Sequence, residues 1–182
     1  LTRAESNDII NSYLRRRGTA SYKIKSHTAR QIANVLTYAL NRDTEIVGME
    51  KARAVRSGAI ITSNHFSPIE NTGIRCLARR LGKKRINIVS QETNLAMPGL
   101  FGFLMNYADI IPISENVHYT QREFVDVLSE LMKKNEFVLI YPEEEMWFNY
   151  RKPRPPKPGA YYYAARLGVP VISCFIEQRD MP

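Results

Sequence analysis

Hydrophobic positions along the chain change their period several times, and the changes divide it into elements. From 28 to 40, Ile32, Val35, Leu36, Ala39 and Leu40 recur at the three- and four-residue spacing of an amphipathic helix. After them come short apolar runs that read as strands: Glu45–Val47, Ala59–Thr62, Ile86–Ser90, Asp109–Ile113, Phe137–Tyr141 and Val169–Ile176. Between most of these lie stretches of helical period, about 68–81, 98–105, 119–134 and 158–167. Alternation of this kind predicts an α/β domain, a mostly parallel or mixed central sheet covered by helices. The first twenty or so residues are polar and weakly patterned, and read as a helical or loose N-terminal segment. Trp147–Gly159 carries four prolines, which forbid a regular helix and predict a long extended loop of the kind that often serves function.

Composition adds little to this picture and charge adds more. At 182 residues, 44% hydrophobic and 24% charged, the chain is an ordinary globular one, read as a single domain over 1–182. It opens on Leu1 rather than Met and stops at Met181-Pro182 just past a strand-like run, which reads as a domain lacking its C-terminal part. Two cysteines, Cys76 and Cys174, are too few for a disulfide scaffold and fit a reducing compartment. No apolar run reaches the length of a membrane span and no signal-peptide pattern opens the chain. Membrane contact, if made, is peripheral. A net charge of +8 favours acidic partners: nucleic acid, an anionic membrane surface or phosphorylated small molecules. Its basic clusters, Arg15–Arg17, Arg79-Arg80 with Lys83–Arg85, and Arg151–Lys157, also suit a solvated surface.

The candidate chemistry lies in Asn64-His65-Phe66-Ser67-Pro68-Ile69-Glu70, just after the run Ala59–Thr62. One reading is a capping box: Ser67 as N-cap, Pro68 at the first helical position, Glu70 reaching back to the cap. The other starts from the sheet. A strand over Ala59–Thr62 delivers His65 to the carboxyl edge, where open α/β folds bind ligands. Glu70 in the next turn then holds one ring nitrogen and leaves the other free to take a proton from a hydroxyl. Both readings stand at this point. The acidic row Glu143-Glu144-Glu145 has no histidine close in sequence and is not read as a metal site. His27 and His118 are isolated and read as surface or capping residues.

Asn64–Glu70 resembles the His-x4-Asp/Glu block of the glycerolipid acyltransferases, the family of 1-acylglycerol-3-phosphate acyltransferases. Three further segments match in order: Tyr141-Pro142-Glu143 is similar to its Phe-Pro-Glu-Gly block, Lys157-Pro158-Gly159-Ala160 to the following Lys-x-Gly-Ala, and Val169-Pro170-Val171-Ile172 to its Val-Pro-Ile strand. The resemblance implies a glycerol-3-phosphate acyltransferase-like fold and transfer of a fatty acyl group to a hydroxyl of a lysolipid acceptor. The acyl donor it implies is a thioester, acyl-CoA or acyl carrier protein, with no cofactor. His65 becomes the catalytic base and Glu70 its partner. Asn64, Ser67, Tyr141, Pro142, Glu143, Lys157 and Gly159 become substrate-binding, with Glu143 helping to hold the acceptor. A cytoplasmic enzyme resting on an anionic membrane surface is the corresponding setting.

Two blocks depart from the family pattern. Ile111-Pro112-Ile113-Ser114-Glu115 places an acid where the family carries a phosphate-binding arginine, and Glu144-Glu145-Met146 replaces the usual Gly-Thr-Arg. Arg122, Arg151, Lys152 or Lys157 would have to substitute, or the acceptor is another lipid alcohol such as a glycolipid. Leu95–Met105 is the best candidate for an alkyl-chain groove or a membrane-facing patch, and equally fits a core helix. Two rival readings remain: a lipid-binding member of the fold without turnover, and a nucleic-acid module built on Tyr161–Tyr163 and the Arg/Pro loop. The resemblance favours acyl transfer, with no nucleic acid as partner.

Overall fold

In a computed structural model, which describes residues 2–179, five strands form one sheet with helices on both faces. Leu1 and Met181-Pro182, on which the expectation of a longer parent chain rests, lie outside the described residues. The weakly patterned N-terminal segment is helical. Thr2 caps α1 (Arg3–Arg16) by accepting from the Glu5 N–H, and the Glu5 carboxylate returns to the Thr2 N–H. Thr19 caps α2 (Ala20–Leu40), which begins well before residue 28 because its first turns are polar and carry no apolar period. Glu45–Val47, expected as a strand, is irregular, and Val47 is exposed: three residues with no partner strand make no ladder. A short helix α3 (Met49–Arg53) follows.

β1 (Ala59–Thr62), β2 (Ile86–Gln91), β3 (Ile110–Ile113), β4 (Phe137–Ile140) and β5 (Val171–Ser173) pair in the order β3-β2-β4-β1-β5, every neighbouring pair parallel. All four residues of β1 and of β4 are buried, as expected of central strands covered on both sides. Alternate side chains go to opposite cores. Ile60, Val89, Ile111 and Val138 pack with Phe124, Val127 and Leu128 of α7 (Glu123–Lys133) and with Ala160 and Ala164 of α8 (Gly159–Leu167). Ile61, Ile88, Ile110 and Leu139 pack with Ile74 and Ala78 of α4 (Asn71–Arg80). The helix expected over 119–134 is two, α6 (Val117–Gln121) and α7, because Arg122 at φ −122°, ψ −83° breaks the helical path. The Val169–Ile176 run pairs only over β5.

The Leu95–Met105 run resolves into a 3₁₀ turn (Glu92–Ala96) and α5 (Gly99–Tyr107). Gly102 makes this junction possible, since a Cβ there would lie 1.6 Å from the Met97 carbonyl oxygen. Gly102→Ala is therefore expected to destabilise by about 3 kcal/mol, seen as a lower urea midpoint with an unchanged slope.

Candidate active site

Parallel register places the site. Thr62 pairs with Ile140 at the ends of adjacent strands, so the chain leaving β1 at Ser63 and the chain leaving β4 at Tyr141 run side by side. Three residues on, His65 lies against Tyr141 with ring centroids 4.0 Å apart and planes 15° apart. Its Nδ1 is 2.6 Å from Glu70 Oε1. The Glu70 side chain is 1% exposed and that of His65 22%, so the carboxylate is enclosed and the ring reaches the open side. A carboxylate acceptor places the proton on Nδ1, which leaves Nε2 as the lone-pair nitrogen.

The two readings of Ser67–Glu70 separate here. Ser67 Oγ accepts from the Ile69 N–H at 3.3 Å, as a cap does. Glu70 does not return to the cap; its carboxylate goes to the imidazole, and residues 68–70 form a turn ahead of α4. The serine serves the backbone and the glutamate serves the histidine.

A cavity of about 1450 Å³ opens along the carboxyl edge of the sheet and has His65 and Glu70 on its wall, with Tyr141, Pro142, Lys157 and Gly159. Three of the expected substrate-binding residues take no part in that wall. Asn64 is buried and tied to the chain beyond β5, donating to the Ile176 carbonyl and accepting from the Ile176 N–H. Ser67 is used in its turn. Glu143, expected to hold the acceptor, accepts instead from the His65 N–H at 3.0 Å and from Arg154 through Nε at 3.0 Å and Nη2 at 2.7 Å. Its oxygens hold the histidine's backbone in place.

Arg154 is the residue that sequence patterns missed. Its side chain is 9% exposed and that of Glu143 6%, which makes theirs a buried ion pair. The guanidinium also reaches the carbonyls of His65 and Glu145 and stacks 4.5 Å over the Trp147 ring. Around it the proline-rich segment folds back as a strap: Trp147 N–H donates to the His65 carbonyl, Asn149 N–H to that of Phe66, and Lys157 N–H to that of Pro142. The only sequence signal was indirect, a glutamate at a strand end that needs a cation when buried.

Burial first, and the neighbouring Glu70 carboxylate second, push the Tyr141 phenol well above its ordinary pKa, so it stays protonated. Its hydroxyl and Glu70 Oε2 are both buried, and the carboxylate is the hydroxyl's hydrogen-bonding neighbour. Tyr141→Phe keeps the ring on His65 and removes the hydroxyl beside the Glu70 carboxylate. It is expected to lower stability by about 1 kcal/mol in urea unfolding, because the buried Glu70 carboxylate loses a donor.

The cavity wall differs in character from one side to the other. Ala33 and Leu36 of α2 and Phe101, Leu104 and Met105 of α5 give an apolar side. The segment Leu95–Met105 thus serves in part as groove, while Leu100 faces outward. The opposite side, from α1, the 3₁₀ turn and the segment between β3 and α6, is mostly hydroxyls, amides and carboxylates, with the Arg3 guanidinium among them. Glu144, on the cavity wall, adopts φ 63°, a left-handed backbone that costs a side-chain-bearing residue on the order of 1 kcal/mol more than glycine. Of the cations weighed as phosphate ligands, Lys157 is on the wall; Arg122, Arg151 and Lys152 are not. Tyr161–Tyr163 are consecutive helix residues, with Tyr163 packed edge-on against Phe124 and against Tyr162. Among the described residues no group of three or more His, Cys, Asp or Glu side chains is placed to hold a metal ion.

A family model described as Acyltransferase matches residues 43–177, which include every wall residue from β1 to α8. No curated relative matches the chain. No solved structure matches it.

Proposed function

The chain belongs to this acyltransferase family, and from that premise we propose that it moves a fatty acyl group from a thioester, acyl-CoA or acyl carrier protein, to a hydroxyl of a lysolipid, with His65 as general base and Glu70 as its orienting partner. The observation that carries the reading is the 2.6 Å contact between His65 Nδ1 and the enclosed Glu70 carboxylate at the wall of a cavity large enough for two alkyl-bearing substrates. The acceptor hydroxyl gives its proton to Nε2 as its oxygen attacks the thioester carbonyl. The tetrahedral intermediate then expels the thiolate, which takes the proton back from the imidazolium. The products are an ester and a free thiol. Glu70 stabilises the imidazolium while it exists, and such general-base help is worth about 10²–10⁴-fold in rate.

The apolar side of the cavity supplies binding, at about 0.8 kcal/mol for each methylene it covers. At its outer rim Met97, Leu100 and Phe101 are 40%, 64% and 45% exposed, an arrangement suited to meeting a bilayer from which the acceptor is drawn. No described helix is long and apolar enough to cross a membrane. The charge of +8 and the exposed apolar rim support peripheral attachment to an anionic membrane surface. The test is incubation with acyl-CoA or acyl carrier protein and a panel of lysolipids in vesicles, following thiol release and the acylated product. Equal amounts of thiol and new ester are expected. Thiol release without ester, or neither from any pairing, would remove the proposal.

A further inference from the structure

We infer that Arg75 closes the inner end of the cavity's apolar side and so sets the upper length of the alkyl chain bound there; this rests on the acyl-transfer reading and specifies which chains the site accepts. Arg75 lies on α4 and is 6% exposed. Its Nη2 donates to the Ala108 carbonyl at 2.9 Å and its Nε to Asn71 Oδ1 at 3.3 Å, so the guanidinium reaches from α4 to the end of α5. Ala108 precedes β3, and the strand from Ile110 to Ile113 rises roughly 10 Å at about 3.3 Å per residue. The contact therefore lies toward the amino edge of the sheet, whereas His65 stands at the carboxyl edge. Between the two, Ile88 and Ile110 of the sheet and Ala33, Leu36 and Leu104 of the helices line the cavity. Beyond Arg75 is a second, small pocket lined by Arg30, Asn34, Arg79 and Lys83. Among the described residues Arg75 alone lines both, which makes its side chain the partition.

Charge makes that partition a stop. Among the described residues no carboxylate lies within ion-pair distance of the guanidinium. Asp109 is held by Arg30 through two hydrogen bonds, and burial pushes the Arg75 pKa down against the pull of that more distant acid. Nη1 has no partner in the protein, yet it is not cut off from solvent, so water can reach it. A methylene pressed against it would strip hydration from a buried cation that has no counter-charge, a cost that outweighs the gain from covering one methylene. An apolar side chain in the same place would instead reward each added methylene until the space was filled. The cation is badly placed for a headgroup phosphate, which is tied within a few bonds of the hydroxyl that meets Nε2 at the other edge. The far end of an alkyl chain is what can arrive there.

The test measures kcat/KM for saturated acyl-CoAs from octanoyl to stearoyl, and separately for monoacylglycerols and their 3-phosphates over the same chain range. In one of the two series, donor or acceptor, the wild type is expected to show an upper limit at which two added carbons cost at least about tenfold. Arg75→Met, apolar and of similar length, should move that limit to longer chains by two carbons or more, while Arg75→Lys should leave it in place. The series that responds shows whose chain occupies the channel. No upper limit in the wild type overturns the inference, and this outcome needs no variant to fold. So does a limit that Arg75→Met leaves unmoved, or a loss uniform across chain lengths, which marks a structural role. A loss confined to the 3-phosphates overturns it in favour of an anion ligand. The same lipids are titrated calorimetrically into His65→Ala, with and without Arg75→Met, below their critical micelle concentrations. Should no pairing turn over while affinity for His65→Ala shows the limit and Arg75→Met lifts it, acyl transfer fails and the stop stands.

Discussion

His65→Ala is expected to lower kcat for acyl transfer by at least about 100-fold, and by up to about 10⁴-fold, with KM for the acyl donor changed less than threefold. The expectation follows from what the ring does in place. Its Nδ1 is fixed on Glu70, its face is stacked on Tyr141, and its backbone N–H is held by Glu143. Each contact constrains a different freedom, so Nε2 is pre-aimed and the reaction spends little on orienting it. Removing the ring leaves the Glu70 carboxylate without that partner, and a stability loss of about 1 kcal/mol should accompany the rate loss. Glu70→Gln separates the two effects. The amide keeps shape and packing but can present its NH₂ to Nδ1, which favours the wrong tautomer, and it carries no charge to balance an imidazolium. Thiol release should therefore fall by orders of magnitude in a protein whose melting temperature stays near that of the wild type. Glu70→Gln turning over at more than a tenth of the wild-type rate would show that the contact with His65 is only structural.

Period and turn chemistry made most of the sheet legible. Ile60, Ile61, Val138 and Leu139 lie in unbroken apolar runs because their strands are covered on both faces, and runs of that kind survive any tertiary context. Elements fixed by one residue or by one partner were not legible. Glu45–Val47 has strand composition but no neighbour to pair with, and the 119–134 helix is broken by a backbone angle at Arg122 that its side chain does not announce. At the N-terminus Thr2 and Glu5 form a capping box, a local signal overshadowed by the segment's weak hydrophobic pattern. The five-residue spacing of His65 and Glu70 could be read as a pair from sequence. Whether Glu70 would cap a helix or hold the ring depended on where the turn at 68–70 aims it, which only the fold decides. Glu143 shows the opposite case: a residue type expected to meet substrate is turned inward by a cation eleven positions away along an irregular strap.

Arg154→Ala is expected to cost about 3–5 kcal/mol of stability, because it leaves the enclosed Glu143 carboxylate without its counter-charge. More than one ion pair is lost. The guanidinium joins the strap carbonyl of Glu145 to the His65 carbonyl and covers the Trp147 ring, so its removal frees the strap on one side and the turn that carries His65 on the other. Urea unfolding should show a midpoint shift several times larger than that of Lys134→Ala, whose exposed pair with Glu130 is worth well under about 1 kcal/mol. Activity measured below the transition should also fall, since the His65 N–H then rests on a carboxylate that is free to move. Pairing the change with Glu143→Gln tests the cause. A neutral amide can still accept from the His65 N–H and needs no cation, so the double variant should be more stable than Arg154→Ala alone. Recovery of stability with recovered activity identifies the uncompensated charge as the fault. Recovery of stability alone shows that the strap, held by Arg154, is what keeps the imidazole aimed.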